Sequence, residues 1–179
     1  MNLPHTLTLL LAATALTACS NSEPQARSSA QQIKQPCDLL TAEDIRQVTG
    51  QAMQPGEEKY KTFCFFSSVE KTTPYELPKY QWQLQYLHHG VPPEQEAQQY
   101  LAMMKEGLGK ETKDYVSSPV AGIGDWAIWQ HYANVTQLVV IKSAGDKASD
   151  FIALQPDFDA EAEALEQAKA LAQRVLKRL

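Results

Sequence analysis

Apolar and polar positions divide this chain into three stretches. Residues 1–18 hold its long apolar run, from about Leu7 to Leu16. Residues 20–36, SNSEPQARSSAQQIKQP, are almost wholly polar. From residue 37 the pattern turns periodic. Thr41 and Asp44 are spaced as a capping box, Leu40 and Ile45 as a hydrophobic staple, and Gly50 as a C′ residue. Together they predict a short helix over 42–49. In KYQWQLQYLHH, Tyr80, Trp82, Leu84, Tyr86 and His88 alternate with Gln81, Gln83 and Gln85. That is the pattern of an antiparallel strand with one buried face and one solvated face. Over 93–106, Ala97, Tyr100, Leu101, Met104 and Leu108 recur at helical spacing and predict a core-facing stripe.

Three strand-like runs follow: WAIWQHY, TQLVVIKS and SDFIALQ. Short turns near Asn134 and at AGDK make them a meander. The glycines of GIGDW allow tight backbone geometry before Trp126. From about Asp159 to Leu179, Leu165, Ala168, Ala172, Val175 and Leu179 form one apolar face. Acids crowd the start of that stretch, and Lys177 and Arg178 its end, as the helix dipole favours. The helix is expected to pack across the sheet. The expected fold is α+β: an antiparallel sheet of about four to five strands, two or three helices mainly on one face, and one disulfide.

An apolar run of about ten residues is too short for a helix to span the ~30 Å hydrocarbon core of a bilayer. It fits the h-region of an export signal, although no Lys or Arg precedes it. Leu16-Thr17-Ala18-Cys19 resembles the lipobox of bacterial lipoproteins. The resemblance implies that the Cys19 thiol receives a diacylglycerol, that residues 1–18 are removed, and that the new amino terminus takes a further chain such as palmitate. Two or three chains anchor durably, since each buried methylene contributes about 0.8 kcal/mol. Ser20 in place of Asp resembles cargo of the outer membrane, facing the periplasm in a Gram-negative cell. A Gram-positive cell would hold the chain on the outer face of its cell membrane. Residues 19–36 are then the acylated cysteine and a tether of roughly 20–25 Å r.m.s. reach. Residues 37–179 are a single domain.

With Cys19 acylated, Cys37 and Cys64 remain as an even pair in an exported chain, and a disulfide is expected. The chain-entropy estimate for that loop is about 3.6 kcal/mol. Cys37-x-Leu39-Leu40-Thr41-x-Glu43-Asp44-Ile45, Gly50, Cys64-x-Phe66 and Gly122-Ile123-Gly124-Asp125-Trp126-Ala127-Ile128-Trp129 resemble segments of secreted bacterial lipoprotein domains. Ala170–Leu179 resembles their closing helix. The motif's Glu position is Asp44 here. The resemblance implies a compact α+β fold and carries no active residue.

Net charge is −5, and the leader contributes none of it, so neither nucleic acid nor anionic lipid attracts the chain as a whole. His88 and His89 are strand neighbours that point to opposite faces, and His131 stands apart. No metal or cofactor site is predicted. No G-x-S-x-G is present, and Asp125 with His131 and a serine is a triad in composition only. No catalytic residue is assigned. The expected role is non-catalytic binding of another envelope protein, as an adaptor or as an inhibitor or immunity lipoprotein. Trp126, Trp129, Tyr132 and the loop 69–79 are its candidate surface. The alternative is a carrier or sensor of a small apolar or lipid ligand. It would bind between the sheet and the 93–106 helix, against Trp82, Tyr86 and Met104. The lipobox reading has a direct test. Cys19→Ala is expected to leave the leader uncut and the protein unacylated, as intact mass shows. A processed, membrane-bound Cys19→Ala chain overturns it.

Overall fold

The computed structural model describes residues 34–70, 78–107, 115–157 and 161–179. The leader, Cys19, most of the tether, Leu108 and most of the 69–79 loop lie outside them. Pro36–Leu39 forms a single turn, α1, and Ala42–Thr49 forms α2. The α2 capping box is present in full: the Asp44 amide donates to Thr41 Oγ1 at 3.1 Å, and the Thr41 amide donates to Asp44 Oδ2 at 2.9 Å. Gly50 closes the helix in the left-handed region, at φ 74°. Leu40 and Ile45 are fully buried, as a staple requires. Cys37 and Cys64 are bonded, with a Cα–Cα distance of 5.2 Å.

Seven antiparallel strands make one sheet. They are β1 (Glu57–Lys59), β2 (Phe63–Ser67), β3 (Gln81–His89), β4 (Val116–Pro119), β5 (Trp126–Tyr132), β6 (Val135–Ser143) and β7 (Ser149–Asp157). Their order is β1-β2-β3-β7-β6-β5-β4. One meander, β1 to β3, meets a second, β4 to β7, where β3 pairs with β7 along its whole length from Gln81↔Asp157 to His89↔Ser149. The predicted β5–β6–β7 meander is the inner part of the second. Helix α3, Pro93–Gly107, links the two, and α4, Glu161–Leu176, ends the fold.

Four to five strands were too few. Of the strands not read from the sequence, β2 alternates buried and half-buried residues, while β1, Glu-Glu-Lys, and β4, Val-Ser-Ser-Pro, are short edges exposed throughout. Charge, brevity and proline are how edge strands avoid further pairing. The described helices number four, against two or three expected; α1, α2 and α4 lie on one face of the sheet and α3 on the other. Register makes the two faces plain. Cys64, Leu84, Leu154, Leu138 and Trp129 line up across β2, β3, β7, β6 and β5. They belong to the main core with Leu39, Ile45 and Phe66, closed by Ala168, Leu171, Ala172 and Val175 of α4. The next row, Phe63, Gln85, Ala153, Val139 and Ile128, faces the other way. There Ala97, Tyr100 and Met104 of α3 cover Ala153, Val139 and Ile128, in a smaller core with Ile141 and Phe151. At the turn before β5, Gly124 has φ 63°, and a Cβ there would sit 2.7 Å from the Ile141 carbonyl oxygen. Only glycine fits.

The two ends of the domain are locked by one carboxylate. Asp44 is 4% exposed and takes Arg174 Nη1 at 3.0 Å and both Nη atoms of Arg178 at 2.6 and 2.9 Å. Arg178 also donates to the Leu39 carbonyl at 2.7 Å. Burial alone would raise the Asp44 pKa; hydrogen bonds from Arg178, Thr41 and Arg174 outweigh it and hold the carboxyl well below the usual range. A depressed pKa stabilises the fold above the unfolded value of about 3.9, and the contribution is lost as pH falls toward the folded value. Asp44→Asn is expected to cost about 2 kcal/mol at neutral pH by urea unfolding. It should also flatten the loss of stability expected of the native chain between about pH 5 and pH 2.

Candidate functional site

The residues singled out from the sequence do not form one surface. Trp82 and Tyr86 are 1% and 5% exposed and sit in the main core beneath α4. Met104 lies on the opposite face, so the three cannot line one cavity. Trp129 is half-buried against the main core, while Trp126 and Tyr132 are half-buried beneath α3. Trp126 meets Tyr100 edge to face at 6.3 Å. These aromatics hold helices to the sheet. The alternation that made Trp82 and Tyr86 conspicuous was itself the signal of core.

His88 and His89 do face opposite ways. His88 Nδ1 lies 2.9 Å from Asp150 Oδ1, an oxygen that also accepts from the Tyr86 hydroxyl at 2.9 Å. Burial and that carboxylate hold the Tyr86 phenol above its ordinary range. His89 Nδ1 lies 2.8 Å from Glu96 Oε2 and so ties β3 to α3. Ser149 is paired with His89 in register, but it is fully buried and its Oγ has no hydrogen-bond partner, so it presents no accessible nucleophile. His131 bonds Thr136 Oγ1 at 2.8 Å near the far end of β5 from Asp125. Asp125 accepts from the Ser143 amide at 2.6 Å. The imagined Asp125–His131 triad is therefore not assembled. Among the described residues, no three His, Cys, Asp or Glu side chains cluster closely enough to hold a metal.

Beneath α3 is a polar network. Buried Gln130 donates to the Tyr100 hydroxyl, Gln137 donates to the same oxygen at 3.2 Å, and the Tyr115 hydroxyl donates to Gln130 Oε1 at 3.4 Å. Burial keeps the Tyr100 phenol protonated well above its ordinary range. The network fixes α3 over β5 and β6.

What α3 leaves uncovered is the other half of the same face. It runs over β1, β2 and β3 and onto the end of β7. Its residues are Phe63, Phe65, Gln81, Gln83, Gln85 and Gln155, all partly exposed. Phe63 and Phe65 stack at 6.0 Å, and Lys59 Nζ lies 5.1 Å from the centre of the Phe65 ring. Lys59 and its neighbour Glu57, at the outer edge, bring charge and pair at 3.6 Å, and Asp157 stands beside Gln81 in register at the end of β7. The face continues into a cleft of about 660 Å³ beside α3, lined by Leu87, His89, Tyr100, Met103 and Phe151 among others. The glutamine row was legible from the sequence. Its aromatic half was not, because FCFFS was not recognised as a strand; the alternation Phe63-x-Phe65 against Cys64-x-Phe66 is the signal that marks it.

The α3 network has its own test. Tyr100→Phe is expected to cost about 1–3 kcal/mol by urea unfolding, since it removes an acceptor from buried amides. Adding Gln130→Leu should recover part of that loss. Neither a protein-family model nor a curated protein sequence matches this chain significantly.

Proposed function

We propose that the chain is an exported lipoprotein, held in the envelope through acylated Cys19, whose domain binds another envelope protein without catalysing a reaction. The observation that carries this reading is the uncovered half-face. Exposed sheet faces ordinarily carry charges; this one carries two phenylalanines and four glutamine amides. Aromatic enrichment and charge depletion are the marks of an interface core. The adjoining cleft suits an apolar side chain of the partner as an anchor. α1 packs against the main core on the other side of the sheet.

The proposal is tested by a photo-crosslinking residue at Gln83 in living cells, with Glu166, exposed on α4, as the control position. A discrete adduct is expected from position 83 alone. Phe65→Ala should weaken binding of the identified partner at least about tenfold. No adduct at 83, or the same adducts at both positions, overturns the reading.

A further inference from the structure

We propose that the tip of the β1–β2 hairpin, Lys59-Tyr60-Lys61, is a membrane-contact element that rests on the lipid surface holding the chain. The inference depends on the lipid-anchored reading for the existence of that surface. Three observations carry it, and each concerns a different property of the tip.

The first is where the anchored segment joins the domain. The described chain begins at Lys34 and α1 follows at once. Cys37 of α1 is bonded to Cys64 of β2, and Cys64 pairs with Glu58 of β1. Tyr60 is two residues beyond Glu58, so α1, into which the described chain leads from Lys34, is fastened to the hairpin that carries this tip. Thirty-five residues of chain precede α1, of which those after Cys19 would reach roughly 20–25 Å r.m.s.. A surface held that close is present at high effective concentration, and a weak contact suffices to orient the domain.

The second is the chemistry of the tip. Tyr60 is 84% exposed, the most exposed of the described large apolar side chains. Phe63 meets it edge to face at 6.5 Å. A ring with an apolar body and a polar tip sits well at headgroup level, and flanking lysines reach the phosphates. Glu57 takes up part of the Lys59 charge, at 3.6 Å. The contact is therefore chiefly that of an interfacial aromatic, with a modest cationic flank from Lys61.

The third is the backbone. Tyr60 and Lys61 both lie in the left-handed region, at φ 57° and 60°. Hairpin turns fill such positions with Asn and Gly, because other side chains crowd the following carbonyl. A tyrosine kept there against the preference of its own backbone points to a use for the side chain. Tyr60→Asn should thus leave the fold at least as stable while removing the contact.

The test uses the acylated full chain in vesicles of phosphatidylethanolamine and phosphatidylglycerol. Tyr60→Trp is expected to give blue-shifted emission, at least about half quenched when the acyl chains are brominated, against a background from Trp82, Trp126 and Trp129 measured in the unsubstituted chain. The signal should persist at high salt. Flotation with the vesicles reads the anchor separately. A chain that floats with position 60 water-exposed and unquenched overturns this inference alone; a chain that does not float overturns the anchored reading and this inference with it. A second measurement needs no probe at position 60. Amine-reactive footprinting should show Lys61 slowed severalfold relative to Lys105 when the acylated chain is on vesicles, compared with soluble Cys19→Ala chain. Tyr60→Asn should restore its reactivity, and an unchanged ratio in the native chain overturns the proposal.

Discussion

The pairing of β3 with β7 is the constraint on which the rest of the molecule depends. It joins two meanders that share no other edge, and it does so in a single register along nine residues of each strand. Side chains alternate with a period of two, so a slip of one residue would send every β3 side chain to the opposite face. Trp82, Leu84 and Tyr86 would leave the core, and three glutamines would enter it. The cost of burying those amides without partners makes the observed register the one that folds. The same register decides which half of the second face α3 can reach. Its side chains fit the Ala153, Val139 and Ile128 row, where small and branched residues leave room, and not the row of amides beside it.

Much of this was legible because periodicity is a local property. The β3 alternation, the α2 capping box, the β5–β7 meander and the long apolar face of α4 each sit within a short window of sequence. The face that α3 covers is not local. Ala97, Tyr100 and Met104 show that the helix buries a stripe, but a stripe does not say which side of a sheet receives it. That depends on how the connection leaves His89 and on which face α4 occupies. The short edge strands were illegible for a different reason. Glu57–Lys59 and Val116–Pro119 bury nothing, so their pairing is imposed by the strands beside them and leaves no hydrophobic trace. The aromatic residues misled in the same way. Size made Trp82 and Trp126 conspicuous, whereas their exposure follows from the tertiary arrangement.

Stability and surface chemistry are divided between the two sides of the sheet. On the α4 side, the disulfide, α1, α2 and the last turn of α4 converge, and Asp44 ties Arg174 and Arg178 to the start of the domain. Lone surface ion pairs contribute little. This one differs because the carboxylate is buried and two guanidinium groups and a capping threonine converge on it. The consequence is mechanical as well as energetic. Residue 37 is fastened by a covalent bond to β2, one strand in from the sheet edge, and the start of α2 by a charged cluster to the end of the chain, so any pull imposed through residue 37 is passed to the sheet.

The uncovered half-face can then be understood by what it would cost to bury. Burying a charge is expensive unless a partner charge meets it in good geometry. This face keeps its charges to its margins, at Glu57, Lys59 and Asp157, so desolvation of its middle falls on neutral amides and aromatic rings. The rings of Phe63 and Phe65 lose only unfavourable hydration on contact, and they supply affinity to any apolar surface. The amides of Gln81, Gln83, Gln85 and Gln155 behave oppositely. Each loses its water on burial and regains that loss only against a donor and an acceptor set in the right place. Affinity and selectivity are thus carried by different rows of one surface: the β2 row favours contact in general, and the β3 row penalises every partner whose hydrogen-bonding pattern does not match its own.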